Sequence, residues 1–270
     1  MKNAQTQPFA ERLRTAIKRA GSPLCVGLDP DPQRIPSHLG EGIAACRSFV
    51  KRIIESTHDL VAAFKANTAF FEAYGPDGVA LLEEMKGCIG ENALLIVDAK
   101  RGDVAHTNEA YARVFFGRMR ADAVTVQPYL GGEPLEPFLR DPARGAFVLC
   151  ATSNPGAAEV QNLATERGPL YLEIARHVRT WSEHANIGLV LATTQPEAIK
   201  SVLEVAPELP LLLPGGGAQG GRTREVLALL KRKQALGLFT FSRSVIYASS
   251  GKDFAEAARR ECERLKAELV

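Results

Sequence analysis

Short apolar runs recur along this chain, separated by longer stretches in which apolar residues return at helical spacing. The runs Leu24–Leu28, Val61–Lys65, Leu94–Asp98, Ala123–Gln127, Ala146–Cys150, Gly188–Ala192, Pro210–Pro214 and Gly237–Phe241 read as eight strands. Between them, Phe9, Leu13 and Ile17 share one helical face, as do Ile43, Phe49, Val50, Ile53 and Ile54. Val79, Leu82 and Met85 mark a third helix, Ala110, Val114 and Phe115 a fourth, and Val226, Leu227 and Leu230 one near the end. The interval from Pro155 to Asn186 predicts a loop followed by a helix around Leu170–Trp181. Strands alternating with helices imply βαβ units and a parallel sheet. Eight such units in about 250 residues fit a (β/α)8 TIM barrel; an open doubly wound sheet is the second arrangement. No linker or composition break interrupts residues 1–270, which predicts a single α/β domain opened by an N-terminal helix.

Composition narrows the class only a little. Of 270 residues, 46% are apolar and 24% charged, which is ordinary for a soluble globular chain. A net charge of +2 gives no argument for nucleic acid or a membrane surface. No apolar run approaches about 18 residues, so no membrane span is expected. Met1 to Arg14 is polar and shows no signal-peptide core. The five cysteines are scattered, with no C-x-x-C pair or Cys/His cluster, so neither a metal site nor a disulfide framework is expected. Cys25, Cys88 and Cys150 lie in apolar surroundings and read as small core residues. A reducing cytoplasm fits that usage.

The candidate chemistry sits at strand ends. Asp98-Ala99-Lys100-Arg101-Gly102-Asp103 follows the buried run Leu94–Val97, and a two-residue strand period sends Asp98 and Lys100 to one face. Charges at the mouth of a buried strand are costly unless paired. The other ends are polar too: Asp29-Pro30-Asp31, Lys65-Ala66-Asn67, Gln127-Pro128-Tyr129, Thr152-Ser153-Asn154, the glycine-rich Gly215–Gly221, and Ser242-Arg243-Ser244. In a barrel these ends converge on one mouth, where active sites lie. Backbone N–H groups of Gly215–Gly221, a following helix N-terminus and Arg243 would suit a phosphate. The same loop matches G-x-G-x-x-G, but no acidic residue about 20 positions on is placed to hold a ribose, so a dinucleotide site is not implied. Thr152-Ser153-Asn154-Pro155-Gly156 carries hydroxyls and an amide able to read a planar heterocycle, and is equally a good turn sequence.

Taken in order, these pieces resemble the orotidine 5′-phosphate decarboxylase family in its longer bacterial form. The matching segments are Val26–Pro30, Phe64–Asn67, Asp98–Asp103, Thr152–Gly156, Leu213–Gly215 with Gln219, and Ser242-Arg243. The D-x-K-x-x-D element is shared with sister decarboxylases, whereas the ordered set is specific. The resemblance implies a (β/α)8 barrel, a homodimer with sites shared across its interface, no cofactor, and conversion of orotidine 5′-monophosphate (OMP) to uridine 5′-monophosphate (UMP). It implies a catalytic array of Lys65, Asp98, Lys100 and Asp103, in which flanking carboxylates keep a buried lysine charged. Asp29 and Lys65 would meet the ribose hydroxyls and Ser153 the pyrimidine edge. Gln219, Gly217 and Arg243 would hold the phosphate, while Asp103 and Thr107 reach into the partner's site. Thr107 has a competing local role as the N-cap of a helix continuing through Asn108-Glu109. Asn67 and Gln127 read as supporting residues.

Three other readings compete. A Mg2+-dependent sugar-phosphate decarboxylase or aldolase on the same barrel would want a carboxylate where Lys65 stands, since a hard cation takes oxygen ligands. A Schiff-base aldolase would need Lys100 as a neutral amine, which flanking acids disfavour. A non-catalytic nucleotide binder would use the phosphate loop but has no need of alternating lysines and aspartates.

Overall fold

All eight expected strands are present in the computed structural model, which describes residues 7–215 and 220–270. They are β1 (Leu24–Gly27), β2 (Ala63–Asn67), β3 (Leu94–Arg101), β4 (Ala123–Val126), β5 (Gly145–Ala151), β6 (Ile187–Leu191), β7 (Leu211–Pro214) and β8 (Gly237–Phe241). Every strand pairs in parallel with its sequence neighbours, and β8 pairs with β1 through Leu24–Phe239, Cys25–Thr240 and Val26–Phe241, closing the barrel. Closure leaves no open edge and rules out the doubly wound alternative.

Boundaries shift where burial and pairing part company. Pairing in β2 starts at Ala63, although Val61 and Ala62 are already fully buried in the two apolar clusters around it. β3 runs on to Arg101, past an irregular register with β4 between Val97 and Arg101. The helix Ala105–Ala112 passes into a wide π-type turn, Arg113–Arg118. That turn breaks the expected Ala110–Val114–Phe115 face: Phe115 is buried and Ala110 exposed. The long interval holds a short helix, Ala157–Gln161, an antiparallel ribbon pairing Ala164–Thr165 with Gly168–Pro169, and a helix Leu170–Val178 that stops short of Trp181.

Two apolar layers hold the fold. One lies between the outer barrel face and the surrounding helices. The other fills the barrel from below: Cys25, Ala63, Leu94, Ile96, Ala123, Phe147, Val190, Leu212 and Leu238 point inward and meet Phe9, Leu13, Ala16 and Ala20 of the N-terminal helix Phe9–Ala20. That helix is the floor. Phe9 packs edge-on against Phe147 with ring centroids 5.8 Å apart. A Cβ at Gly145 would lie 2.4 Å from the Phe9 ring, so the floor requires glycine there. Beside it, the buried Asp122 carboxylate accepts from Lys86 Nζ at 2.9 Å, from the Leu95 amide at 2.8 Å and from Arg12. Burial pushes the Asp122 carboxyl up, but the attraction of Lys86 and Arg12 and the Leu95 hydrogen bond outweigh it and hold it below the usual range.

The cysteines differ from expectation in detail. Cys25 and Cys150 are buried, as are Cys46 and Cys262, while Cys88 is only half-buried, packed against the edge of the larger apolar cluster. No described helix is long and apolar enough to cross a membrane.

Candidate active site

The inward-facing positions change character on climbing the barrel. Two residues above Ala63 stands Lys65; above Ile96, Asp98; above Ala123, Thr125; above Leu238, Thr240. The alternation that makes the lower barrel apolar therefore delivers polar side chains to its upper, C-terminal end.

There Asp98 is the hub. Lys65 Nζ donates to Asp98 Oδ2 at 2.7 Å, and Lys100 Nζ donates to Oδ1 at 2.6 Å. Thr125 Oγ1 donates to the same Oδ1 at 2.8 Å. Lys65 and Asp98 are 7% and 8% exposed, so their charges are desolvated and survive only because they are paired. Burial alone would raise the Asp98 carboxyl; Lys65, then Lys100, and their hydrogen bonds reverse this and hold it at about 2. Burial likewise pulls the Lys65 ammonium down, but Asp29 and Asp98 overcome it, leaving Lys65 above its ordinary value. The buried lysine of this array is thus Lys65. The side chain of Lys100 is 47% exposed, correcting the expectation that it lies inside.

Lys100 owes its position to an irregular backbone. Its φ is +48°, in the left-handed region that costs a non-glycine residue about 1 kcal/mol or more. It lies in the stretch where β3 loses simple register with β4. Asp98 and Lys100 do share a face, as the strand period predicts, but a bent strand and not a regular one puts them there.

Two cavities meet over this array, both lined by Lys65 and Pro214. One, about 450 Å³, is lined by Asp98, Lys100, Thr125 and Ser153. The other, about 470 Å³, is lined by Asp29, Gly215, Ser242, Arg243 and Arg34. Asp29 accepts from Ser242 Oγ and, at 3.4 Å, from the Asn67 amide, which holds its carboxylate toward Lys65. Asn67 also caps the helix Thr68–Glu72, its Oδ1 accepting from the Ala69 amide at 3.1 Å. The structure therefore brings together Lys65, Asp98, Lys100, Asp29, Ser153 and Arg243. Gly217 and Gln219 lie outside the described residues.

Asp103 stands apart. Its Oδ1 accepts from its neighbour Val104 N at 2.7 Å, and Asn108 clamps its backbone by accepting from Asp103 N at 3.1 Å and donating to Asp103 O at 2.7 Å. Among the described residues no ion pair within the chain involves it, so the structure does not bring this fourth member into the array. Gln127 braces the same turn by donating to Gly102 O at 3.0 Å. The N-cap reading of Thr107 fails: the helix begins at Ala105, and Thr107 sits half-exposed inside its first turn.

Sequence reasoning missed Thr125. Its signal was available: an inward polar residue in Ala123-Val124-Thr125-Val126, two positions above an alanine of the barrel interior. Arg34 was missed as well. It stacks 4.1 Å over the Tyr247 ring, whose hydroxyl donates to Asp29 O at 3.1 Å.

Comparison with known sequences agrees with this geometry. Residues 22–260 match the family described as "Orotidine 5'-phosphate decarboxylase / HUMPS family". The chain belongs to that family. An orotidine 5′-phosphate decarboxylase of Roseiflexus sp. (strain RS-1) is 46% identical over 261 residues, covering 96% of each chain. One of Thermomicrobium roseum is 46% identical over 262 residues, covering 96% of this chain and 93% of its own. Among solved structures, the OMP decarboxylase of Leishmania donovani superposes with a TM-score of 0.83 at 36% identity, covering 97% of this chain and 99% of its own. These relatives place the chain with the decarboxylase members of the family, and the Mg2+-dependent sugar-phosphate reading finds no support.

Proposed function

We propose that this chain decarboxylates OMP to UMP and CO2, and that Lys100 is the proton donor. The observation that carries the reading is the Lys65–Asp98–Lys100 array at the meeting point of two cavities, one able to take a planar base and the other a phosphorylated ribose. When the bond from C6 to the carboxylate breaks, its electron pair stays on C6 in an orbital lying in the ring plane. The ring carbonyls cannot delocalise it. A cation already in place where charge develops is what helps, and a preorganised one costs no reorganisation. The Lys100 ammonium, held by Asp98 at the base cavity, is such a cation. It transfers a proton to C6, forming the C6–H bond of UMP, and is reprotonated from water after product leaves. No cofactor enters this scheme.

Asp29 and Lys65 fit the ribose hydroxyls, Ser153 the pyrimidine edge, and Arg243 with Gly215, Gly217 and Gln219 the phosphate. Remote phosphate binding can be used to complete the site around the base. Asp103 and Thr107 act, in this reading, from the second subunit of a homodimer. Two things support it: among the described residues Asp103 has no ion-pair partner in its own chain, and Val104 and Tyr129 are exposed apolar side chains suited to an interface. A cytoplasmic location belongs to the same reading and suits five unpaired cysteines.

The test is the ultraviolet absorbance of OMP with purified protein, with and without EDTA. Equal loss of the orotate band in both is expected. No loss would refute the activity, and loss only without EDTA would mean that Lys65 has been misassigned.

A further inference from the structure

We infer that Thr125 is a positioning residue for the decarboxylation, locking the Asp98 carboxylate and the Lys100 backbone into one geometry. The inference rests on the function proposed above. Thr125 is 1% exposed, at an inward position of β4 directly across from the bent end of β3. Its Oγ1 makes two hydrogen bonds, accepting from the Lys100 amide at 3.0 Å and donating to Asp98 Oδ1 at 2.8 Å. A hydroxyl has a single proton, so the chain of bonds has one direction: Lys100 N–H to Thr125 oxygen, Thr125 O–H to Asp98.

Each bond answers a specific need. Lys100 is left-handed at φ +48°, and its amide faces Thr125 where ladder pairing between β3 and β4 is interrupted. Without the hydroxyl that part-buried amide would lose its partner, and the strained conformation would lose the contact that favours it. Asp98 Oδ1 already accepts from Lys100 Nζ, and Oδ2 accepts from Lys65. The Thr125 proton adds a third donor, approaching from a strand that carries no charge at that level. With donors from three strands the carboxylate cannot rotate about its terminal bond without breaking one of them. The orientation of Lys100 Nζ is therefore specified twice through Thr125: from the backbone side and from the carboxylate side. Thr125 also lines the base cavity, but its hydroxyl is committed to these two partners.

The test uses Thr125→Val, which keeps the shape and removes the hydroxyl, and Thr125→Ser, which keeps it. Turnover of OMP and binding of UMP are measured on the full chain. Thr125→Val is expected to lower kcat by about tenfold to a hundredfold, the scale of a small displacement of a reacting group, with UMP binding within about threefold of the parent. Thr125→Ser is expected to recover most of kcat. In an Asp98→Asn background, Thr125→Val should cost little more, because residues acting through one another are not additive. A parent-like kcat in Thr125→Val would overturn the inference. So would loss of UMP binding in step with kcat, or a serine variant no better than valine. Should the valine variant fail to fold, Thr125→Ala replaces it, with the same expectation and the same overturning result. A parent chain that leaves OMP untouched would instead remove the proposed function itself.

Discussion

Lys65 and Lys100 hold opposite oxygens of one carboxylate, at 2.7 and 2.6 Å from Asp98, yet one is buried and the other half-exposed. In the proposed mechanism this difference separates their tasks. The buried ammonium balances Asp98 and Asp29 permanently, and the exposed one is free to meet substrate. Lys100→Ala is expected to reduce turnover below detection while UMP still binds. Turnover near the parent rate in that variant would end the proposed mechanism.

Arg243 lines the ribose-phosphate cavity next to Gly215 and Ser242. Removing a bidentate cation from a remote phosphate weakens ground-state and transition-state binding together. Arg243→Ala is expected to raise KM about tenfold to a hundredfold, with the nucleoside orotidine, which lacks the phosphate, used no less well than by the parent. An unchanged KM would take Arg243 out of the phosphate site.

The Asp103 backbone is clamped by Asn108, and its carboxylate accepts from the Val104 amide. Lys100→Ala and Asp103→Ala should each be inactive alone. Mixed and reannealed, they should recover up to about a quarter of parental activity per site population, because one site in a mixed dimer contains both native residues. Mixed dimers that form, as mass spectrometry can establish, but stay inactive would place Asp103 elsewhere.

Asp98 makes stability depend on acidity. Its carboxyl is held at about 2 in the folded chain against 3.8 for the free group, so the folded state gains stability above about pH 4 and loses it as pH falls toward 2. The shift corresponds to about 2 kcal/mol. Denaturant melts of the parent and Asp98→Asn should therefore converge as pH falls from 6 to 2.5. A constant gap across that window would contradict the assignment.

At the barrel floor, Asp122→Asn leaves Lys86 and Arg12 facing no charge in a buried setting. A loss of about 3–5 kcal/mol in unfolding free energy is expected, with kcat unchanged because the substitution lies at the opposite end of the barrel. A drop in kcat in the still-folded variant would show that the floor communicates with the site.

Much of this was legible from residues alone. Eight apolar runs became eight strands, and polar strand ends became one mouth, because burial and period are local signals. What escaped was local irregularity and anything held between distant segments. The left-handed backbone at Lys100 leaves no mark in composition, since the residue is not glycine. The early start of the Val61 run misled because a residue can be buried before its strand begins to pair. Thr125 hid among valines that make β4 read as uniformly apolar. Asp103 had the right residue type at the right spacing, but its described hydrogen bonds run to Val104 and Asn108 rather than to the lysines of the array.

The pairing of β1 with both β2 and β8 has a consequence for biosynthesis. Of the eight barrel strands, the first to leave the ribosome is the last to find its second neighbour, since Leu24 pairs with Phe239. Until nearly the whole chain has emerged, β1 presents an unpaired apolar edge, the kind of surface that recruits strangers. A nascent chain stalled anywhere before β8 therefore keeps that edge open to misassociation, however stable the finished barrel becomes.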